Sequence, residues 1–199
     1  MNKVFYILSF INNYRNKVFK VFYYELFNLV KYLEITYLVN INNSSKYTDT
    51  VPCVYYFLHK IKKFIKKYKI KSVADLGSGY GRITNYISKE TKIKVYGIEY
   101  NLDTFNKSKS VKAKNVNLYH GNILKFPYSK YKFHCYILND PLKKKKDLNF
   151  LLNKILSVKK KKKFVITINI NRKLINKNFK LIKSVVAGNI KELNFFTCK

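Results

Sequence analysis

The stretch from Ser72 to Arg82 constrains the fold of this chain more than any other part of the sequence. An apolar run from Ile70 to Leu76 predicts a short buried strand, which ends where Gly77 and Gly79 interrupt it. Apolar residues then recur at helical spacing between Ile83 and Ile87. The order of strand, glycine turn and helix predicts an α/β domain.

The spacing of the glycines excludes two common nucleotide-binding turns. A dinucleotide-binding turn has its third glycine three positions after the second, where this chain has Arg82, and the third glycine is Gly81 instead. A P-loop is excluded because no Gly-Lys-Ser/Thr sequence closes the turn.

The heptapeptide from Asp75 to Gly81, Asp-Leu-Gly-Ser-Gly-Tyr-Gly, resembles the first motif of class I S-adenosylmethionine-dependent methyltransferases. The resemblance extends from about Thr50 to the end of the chain. It implies a Rossmann-like, mostly parallel seven-stranded sheet with an antiparallel last strand, helices on both faces and S-adenosylmethionine as the cofactor. It also implies that the turn wraps this cofactor, through Asp75, Gly77, Ser78, Gly79 and Gly81. For the heptapeptide alone, a structural turn in another α/β domain is the alternative.

A carboxylate ends the second predicted strand. Residues Ile93 to Ile98 alternate in polarity and lead into Glu99 and Tyr100. One β-α-β step separates Asp75 from Glu99, so we expect Glu99 at the carboxyl edge of the sheet, where a carboxylate can accept hydrogen bonds from both ribose hydroxyls. The resemblance gives Glu99 this role, and we include Tyr100 among the cofactor-binding residues.

The third predicted strand, Val116 to His120, leads into Gly121, Asn122 and Ile123. Methyltransferases of this class usually have Gly-Asp and an apolar residue here, so Asn122 departs from the pattern. Its amide oxygen can still accept a hydrogen bond from an exocyclic amine, while Ile123 can pack on the adenine ring.

The fourth predicted strand, Lys132 to Leu138, ends in Asn139-Asp140-Pro141. This partly resembles the Asn/Asp-Pro-Pro-Tyr/Phe motif of methyltransferases that act on amino or amide nitrogen. We expect Asn139 to position the target, Asp140 to accept a proton or orient an amine, and Pro141 to complete the catalytic turn. The acceptor stays open among a protein lysine or other amine, a nucleic acid and a small molecule, and a purely structural turn is the alternative.

The net charge of +31 looks like a nucleic-acid signal, but only three of the 41 basic residues are arginine. A lysine-rich, alanine-poor composition is typical of a protein from an AT-rich genome.

The run from Lys143 to Lys146 follows the predicted catalytic turn, so it is a candidate contact for an anionic partner. The run from Lys159 to Lys163 precedes the fifth strand, and we expect it to be solvated charge near a helix end.

We expect two segments: a helical N-terminal extension or lid in residues 1–49 and the methyltransferase domain in residues 50–199. The apolar run from Val4 to Ile11 is too short to span a membrane, so no transmembrane segment is predicted, although an interfacial helix is an alternative. Thr50 is a candidate cap for a helix that extends through Ile65. Two β-rich runs near the end, from Phe179 to Val186 and from Ile190 to Cys198, predict an antiparallel pair.

The cysteines and histidines give no sign of a metal site. Three cysteines are widely spaced and three histidines share no ligand spacing. We therefore expect a cytoplasmic protein without a metal.

Two other functions stay open. One is a non-catalytic protein of this fold that binds RNA or an anionic membrane through its lysines. The other is a nicotinamide dehydrogenase, which would need the missing third glycine.

Overall fold

The computed structural model describes residues 17–31, 47–48, 51–159, 162–187 and 191–198. The predictions of a helical extension in residues 1–16 and 32–46 and of Thr50 as a cap lie outside these ranges. Of the N-terminal extension, they contain one helix, α1 (Val18–Lys31). Within the same ranges, no helix has both the length and the apolar composition that crossing a bilayer requires.

Seven strands within the described residues form one sheet. They are β1 (Ser72–Leu76), β2 (Lys94–Glu99), β3 (Val116–His120), β4 (Cys135–Asn139), β5 (Lys163–Ile168), β6 (Lys180–Val186) and β7 (Glu192–Cys198). Their order across the sheet is β3-β2-β1-β4-β5-β7-β6. All pairs among β1 to β5 are parallel, and β7 is antiparallel to both β5 and β6. The predicted Rossmann-like sheet with an antiparallel last strand is confirmed.

Helices cover both faces of the sheet, as predicted. After α1 come α2 (Tyr55–Lys67), α3 (Arg82–Thr91), α4 (Leu102–Ser110), α5 (Tyr128–Tyr131) and α6 (Lys145–Ser157), with a 3-10 turn at Arg172–Leu174. Because side chains alternate along β1, Val73 packs with apolar residues of α2 and α3, whereas Leu76 packs with those of α6. Both sides of β1 are therefore buried, which explains its continuous apolar sequence.

The carboxyl ends of β1, β2 and β4 meet at one edge of the sheet. Asp75 on β1 is level with Gly97 on β2, and Leu76 is level with Leu138 on β4. The chain leaves β1 and β2 toward β3 but reaches β4 on the other side of β1, so this edge is the topological switch point where α/β folds bind ligands.

The start of α2 differs from its prediction. The helix begins at Tyr55 rather than near Thr50, and its N-cap residue, Val54, provides no side-chain hydrogen bond. The backbone N–H of Tyr55 instead donates to the carboxylate of Glu25 on α1, at 2.5 Å. A capping acceptor supplied from 30 residues upstream has no local sequence signal, so the start of α2 could not be located from nearby residues.

Two strand boundaries differ for backbone reasons. β4 begins at Cys135 instead of Lys132, because Lys132 has a φ of +45° and ends α5. The apolar run from Phe164 to Ile170 predicts the fifth strand, but β5 ends at Ile168, because Asn169 has a φ of +59°. A left-handed residue breaks the extended backbone that a strand needs.

The prediction of solvated charge from Lys159 to Lys163 is wrong for Lys163. This residue is the first of β5, its side chain is buried, and its ammonium group donates to the carbonyls of Leu156 and Val158, both at 2.7 Å. Those carbonyls belong to the end of α6, where backbone acceptors lack helical partners. The lysine therefore caps the helix from inside the protein.

Candidate functional site

The glycine turn between β1 and α3 is built from left-handed backbone. Gly77, Gly79 and Gly81 have φ values of +84°, +54° and +84°, which glycine adopts readily because it lacks a Cβ atom. The N–H groups of Gly77 and Ser78 donate to the carbonyl of Ile98 at 2.9 and 3.0 Å. These bonds attach the turn to the end of β2, next to the predicted ribose-binding acid.

Glu99 is held by the backbone on both of its carboxylate oxygens. Oε2 accepts from the N–H of Gly79 and Oε1 accepts from the N–H of Asn101, each at 2.8 Å. Burial raises the pKa of Glu99, and these hydrogen bonds partly oppose that change. A carboxylate offers about four lone-pair sites, so each oxygen keeps the capacity to accept another hydrogen bond from a ligand.

Asp75 lies beneath the turn with its side chain fully buried. Among the described residues, neither of its carboxyl oxygens has a hydrogen-bond partner, and the same is true of the hydroxyl of Ser78. Burial, and then the nearby charge of Glu99, hold the pKa of Asp75 well above its ordinary value. Orphaned buried polar atoms at a glycine turn are a sign of a ligand that satisfies them.

The two side chains of the third predicted motif, Asn122 and Ile123, have different surroundings. The side-chain oxygen of Asn122 accepts from the N–H of Leu124 at 2.8 Å, which is a local turn interaction. Ile123 is buried and contributes an apolar surface to the cleft described below.

The predicted catalytic turn places Asn139 and Pro141 toward the same cleft. The Nδ2 group of Asn139 donates to the carbonyl of Val51 at 3.0 Å, while its Oδ1 atom lies 3.5 Å from Nδ2 of Asn169. The latter contact is long for an N–H···O bond, so Oδ1 keeps the capacity to accept from a substrate. Asp140 has a φ of +42°, and burial raises the pKa of its carboxyl group.

A segment before α2 crosses the carboxyl edge of the sheet, and we call its described residues, 47–48 and 51–53, the strap. Tyr47 forms an antiparallel bridge with Leu142, and its ring stacks on that of Tyr100 with centroids 4.6 Å apart. The hydroxyl of Thr48 donates to the carbonyl of Asp140. The strap thereby joins the end of β2 to the turn after β4.

The strap, the glycine turn and the strand ends line one cleft. Of the predicted site residues, the cleft wall contains Gly77, Ser78, Gly79, Glu99, Tyr100, Ile123, Asn139 and Pro141. Asp75, Gly81, Asn122 and Asp140 lie outside the wall. Predicted site residues from four strand ends therefore share one cavity.

Several wall residues were not predicted: Tyr47, Thr48, Val51, Pro52 and Cys53 of the strap, and Tyr80, Arg82 and Ile83 near the turn. Arg82 is buried, and its Nη1 atom donates to the carbonyl of Cys53 at 3.1 Å and to Glu25 at 3.2 Å. A basic residue directly after the last glycine was the available signal for Arg82. The strap lacked such a signal, because its role depends on tertiary contacts.

Nucleophilic and metal chemistry have little support in this cleft. Burial raises the pKa of the Cys53 thiol well above its ordinary value, so the thiolate that would act as a nucleophile is disfavoured. In the part of the chain that the structure describes, His, Cys, Asp and Glu side chains form no group suited to a metal ion.

The residues present fit an adenosyl cofactor. Glu99 provides acceptors for a pair of hydroxyls, Ile123 provides an apolar surface for a base, and the left-handed glycines keep the turn free of side chains. The unpartnered hydroxyl of Ser78, a residue of the cleft wall, adds a further polar group at the turn.

The fold is similar to that of several solved structures. An RNA methyltransferase from Salinibacter ruber in complex with S-adenosyl-L-homocysteine is 15% identical, with a TM-score of 0.59 over 74% of this chain and 93% of that chain. A SAM-dependent methyltransferase from Aquifex aeolicus is 17% identical, with a TM-score of 0.51 over 69% and 89%. The PH0226 protein from Pyrococcus horikoshii OT3 is 15% identical, with a TM-score of 0.57 over 72% and 88%. Identities this low show a shared fold.

Sequence comparison identifies the family. A search of curated proteins found no match. A family model described as a methyltransferase domain matches residues 67–197, which contain the glycine turn, Glu99 and the turn after β4. The match spans most of the chain and confirms the resemblance that the glycine turn suggested. The chain therefore belongs to the methyltransferase-domain family, as a member with the class I, Rossmann-like fold.

Proposed function

We propose that this protein transfers a methyl group from S-adenosylmethionine to an amine nitrogen. The observation that carries the cofactor assignment is the position of Glu99, which the N–H groups of Gly79 and Asn101 hold against the glycine turn. When bound, the cofactor supplies a methyl group on a sulfonium centre, which an attacking lone pair displaces in line. The protein's task is to hold the two reactants in that geometry.

We assign each part of the cofactor to different residues of the cleft. Glu99 accepts from the ribose hydroxyls with the lone pairs that its backbone bonds leave free. Ile123 and Tyr100 enclose the adenine, and the turn from Gly77 to Gly81 passes close to the rest of the cofactor because its glycines lack side chains.

The acceptor assignment rests on the turn after β4. Oδ1 of Asn139 accepts a hydrogen from the target nitrogen and so orients its lone pair toward the cleft, while Pro141 fixes the backbone beside Gly77. Asp140 lies outside the cleft wall, so we assign it to proton acceptance after the acceptor has entered. Its raised pKa favours this role, because it brings the carboxyl group closer to neutral pH.

The approach to this turn favours an anionic acceptor molecule. Lys143, Lys144, Lys145 and Lys146 directly follow it, and all four side chains are exposed. Such a run raises the local concentration of anions at low ionic strength.

Three free and buried cysteines suit a reducing compartment such as the cytoplasm, where we expect the protein to act.

Isothermal titration calorimetry tests the cofactor assignment. We expect binding of S-adenosylmethionine and S-adenosylhomocysteine and no heat with NAD. Replacing Glu99 by Gln removes a charged acceptor, which costs about 1.5–3 kcal/mol and weakens the Kd roughly ten- to hundredfold. Glu192→Gln is the matched control, because Glu192 also accepts from a backbone N–H, that of Arg172, but lies outside the cleft. Equal affinity for wild type and Glu99→Gln would overturn the assignment.

Methyl transfer from isotopically labelled S-adenosylmethionine tests the acceptor. Candidate acceptors are lysine-rich and acidic peptides, small amines and RNA, and mass spectrometry identifies the methylated atom. We expect N-methyl products, and we expect Asn139→Ala to lower kcat while leaving the Kd of the cofactor unchanged. Methylation of oxygen or carbon would overturn the amine proposal and leave the cofactor assignment intact.

A further inference from the structure

Helix α1 has apolar side chains on two of its faces. Val21, Glu25 and Asn28 face the domain, and Val21 and Asn28 are buried. The other face carries five large apolar side chains that are between 55% and 89% exposed, and we call it the outer face of α1: Phe19, Phe22, Tyr23, Leu26 and Phe27. Their spacing follows the pattern that helices normally turn toward a core.

Exposed apolar side chains also occur on the edge strand of the sheet. Leu181, Ile182 and Val186 of the edge strand β6 are between 36% and 52% exposed. The ammonium group of Lys17, next to the start of α1, donates to the carbonyl of Val186 at 2.8 Å. The start of α1 therefore lies next to the end of β6. Clustered exposed apolar side chains such as those of the outer face of α1 usually mark a binding site for another molecule.

Lysines surround one end of this surface. Lys60 on α2 lies close enough to Lys17, Lys20, Lys63 and Lys183 for their charges to lower its pKa, after the larger effect of its own burial. The nearby acids are already paired, since Glu25 binds Arg82 and Glu90 binds Lys62. The lysine cluster thus attracts anions from outside the molecule.

The presence of exposed apolar side chains beside lysines favours one of three possible partners. A second copy of this chain would bring another +31 charges to the same place, and repulsion between like charges opposes that contact. A nucleic acid would satisfy the lysines but would leave most of the apolar face in contact with water. An anionic bilayer satisfies both, because its headgroups attract lysine and its interface accommodates aromatic side chains.

We propose that the outer face of α1 docks the protein on the surface of an anionic membrane. The helix lies parallel to the bilayer plane, with Phe19, Phe22 and Phe27 inserted at the headgroup level and the lysine cluster on the lipid phosphates. Glu25 and Val21 keep the opposite face of the helix attached to the domain. The proposal is independent of the methyl-transfer assignment, because it uses none of the cleft residues.

A single-tryptophan variant reports insertion directly, because the sequence contains no tryptophan. Phe19→Trp should show a blue-shifted emission when equimolar phosphatidylglycerol–phosphatidylcholine vesicles are added and no shift with pure phosphatidylcholine vesicles. Phe150→Trp is the matched control, since Phe150 is 52% exposed on α6 and should keep its emission in both mixtures. An unshifted Phe19→Trp spectrum with the anionic vesicles would overturn the proposal.

Vesicle sedimentation separates insertion from the general attraction of a basic protein. We expect the Phe19→Ser, Phe27→Ser double variant to lose at least about tenfold in partitioning at physiological salt, and Lys20→Gln to lose about fivefold at low salt. Phe150→Ser should partition like wild type. Equal partitioning of all variants would reject the face as the docking site.

Two other results would also overturn the proposal. Concentration-dependent dimers would make a second copy of the chain the partner, and competition by single-stranded RNA for the same face would make RNA the partner.

Discussion

A Cβ atom added to Gly77 would lie 2.9 Å from the Cβ atom of Pro141, so the glycine turn and the turn after β4 are in direct contact. Gly77 also has a φ of +84°, a conformation that residues with a side chain rarely adopt. Two independent features therefore require glycine at this position: the left-handed backbone and the short distance to Pro141. A change at Gly77 should affect stability and both halves of the site.

We predict that Gly77→Ala lowers the free energy of unfolding and weakens cofactor binding. The left-handed backbone alone costs about 1–2 kcal/mol for a residue with a Cβ atom, and the contact with Pro141 adds to it. Urea unfolding measures the first effect, and calorimetry with S-adenosylhomocysteine measures the second.

Gly121 provides the control for Gly77. A Cβ atom there would have no neighbour within 4 Å, and Gly121 is not among the glycines with positive φ. We expect Gly121→Ala to change stability by less than about 0.5 kcal/mol. If Gly77→Ala behaved like Gly121→Ala, the close approach of the two turns would be wrong.

The buried carboxyl group of Asp75 predicts a pH dependence of stability. Burial and the charge of Glu99 raise its pKa in the folded protein above the ordinary value of 3.8, so the folded state holds a proton that the unfolded state releases. The free energy of unfolding therefore falls as pH rises from about 4 through the raised pKa. In Asp75→Asn this contribution is absent, so the stability of the variant relative to wild type should increase with pH over that interval.

Urea unfolding over a pH series measures this difference. The high net charge and the acids distant from Asp75 act on both proteins, so they cancel in the comparison, whereas the interaction with Glu99 is part of the measured difference. Asp140→Asn is a useful reference, because burial also raises the pKa of Asp140 but Lys191 opposes the shift, and we expect a smaller change. Parallel curves for wild type and Asp75→Asn would contradict the prediction.

The sequence predicted those parts of the site that local patterns determine. Gly77, Gly79 and Gly81 had to form a left-handed turn because they interrupt a buried strand directly before a helix. Glu99 was located by one β-α-β step, since parallel strands end at the same sheet edge. The seven-stranded sheet was implied by the resemblance of the glycine turn to class I methyltransferases, and the structure has it.

Other parts were unpredictable because they depend on distant residues. Tyr47 enters the cleft wall through a bridge to Leu142 and a ring contact with Tyr100, and nothing near Tyr47 in the sequence indicates either contact. Lys163 belongs to a run of lysines that looks uniformly solvated. Its burial is set by the register of β5 and by the carbonyls at the end of α6.

Glu25 should stabilise the protein through two connections at once. Its carboxylate accepts from the N–H of Tyr55 and from the guanidinium of Arg82, so it links α1 to the starts of α2 and α3. Glu25→Ala leaves Arg82 buried without this acid, and we expect a loss of about 3–5 kcal/mol in unfolding experiments. Glu25→Gln should lose less, because its amide oxygen can still accept from Tyr55.

A double-mutant cycle tests the link between Glu25 and Arg82. We expect Glu25→Ala combined with Arg82→Met to be more stable than the sum of the single effects predicts, with a coupling energy of at least about 1 kcal/mol. Additive effects would show that the ion pair contributes nothing to stability.

Lys163 should contribute to stability although it belongs to a lysine run. Its ammonium group caps α6 through the carbonyls of Leu156 and Val158, each at 2.7 Å. Lys163→Met keeps an apolar stem but removes both donors, so we expect a loss of about 1–3 kcal/mol in urea unfolding. Lys159→Met is the matched control, because Lys159 is exposed in the same run and should change stability by less than about 0.5 kcal/mol. Equal effects at the two positions would mean that Lys163 contributes no more to stability than a solvated surface lysine.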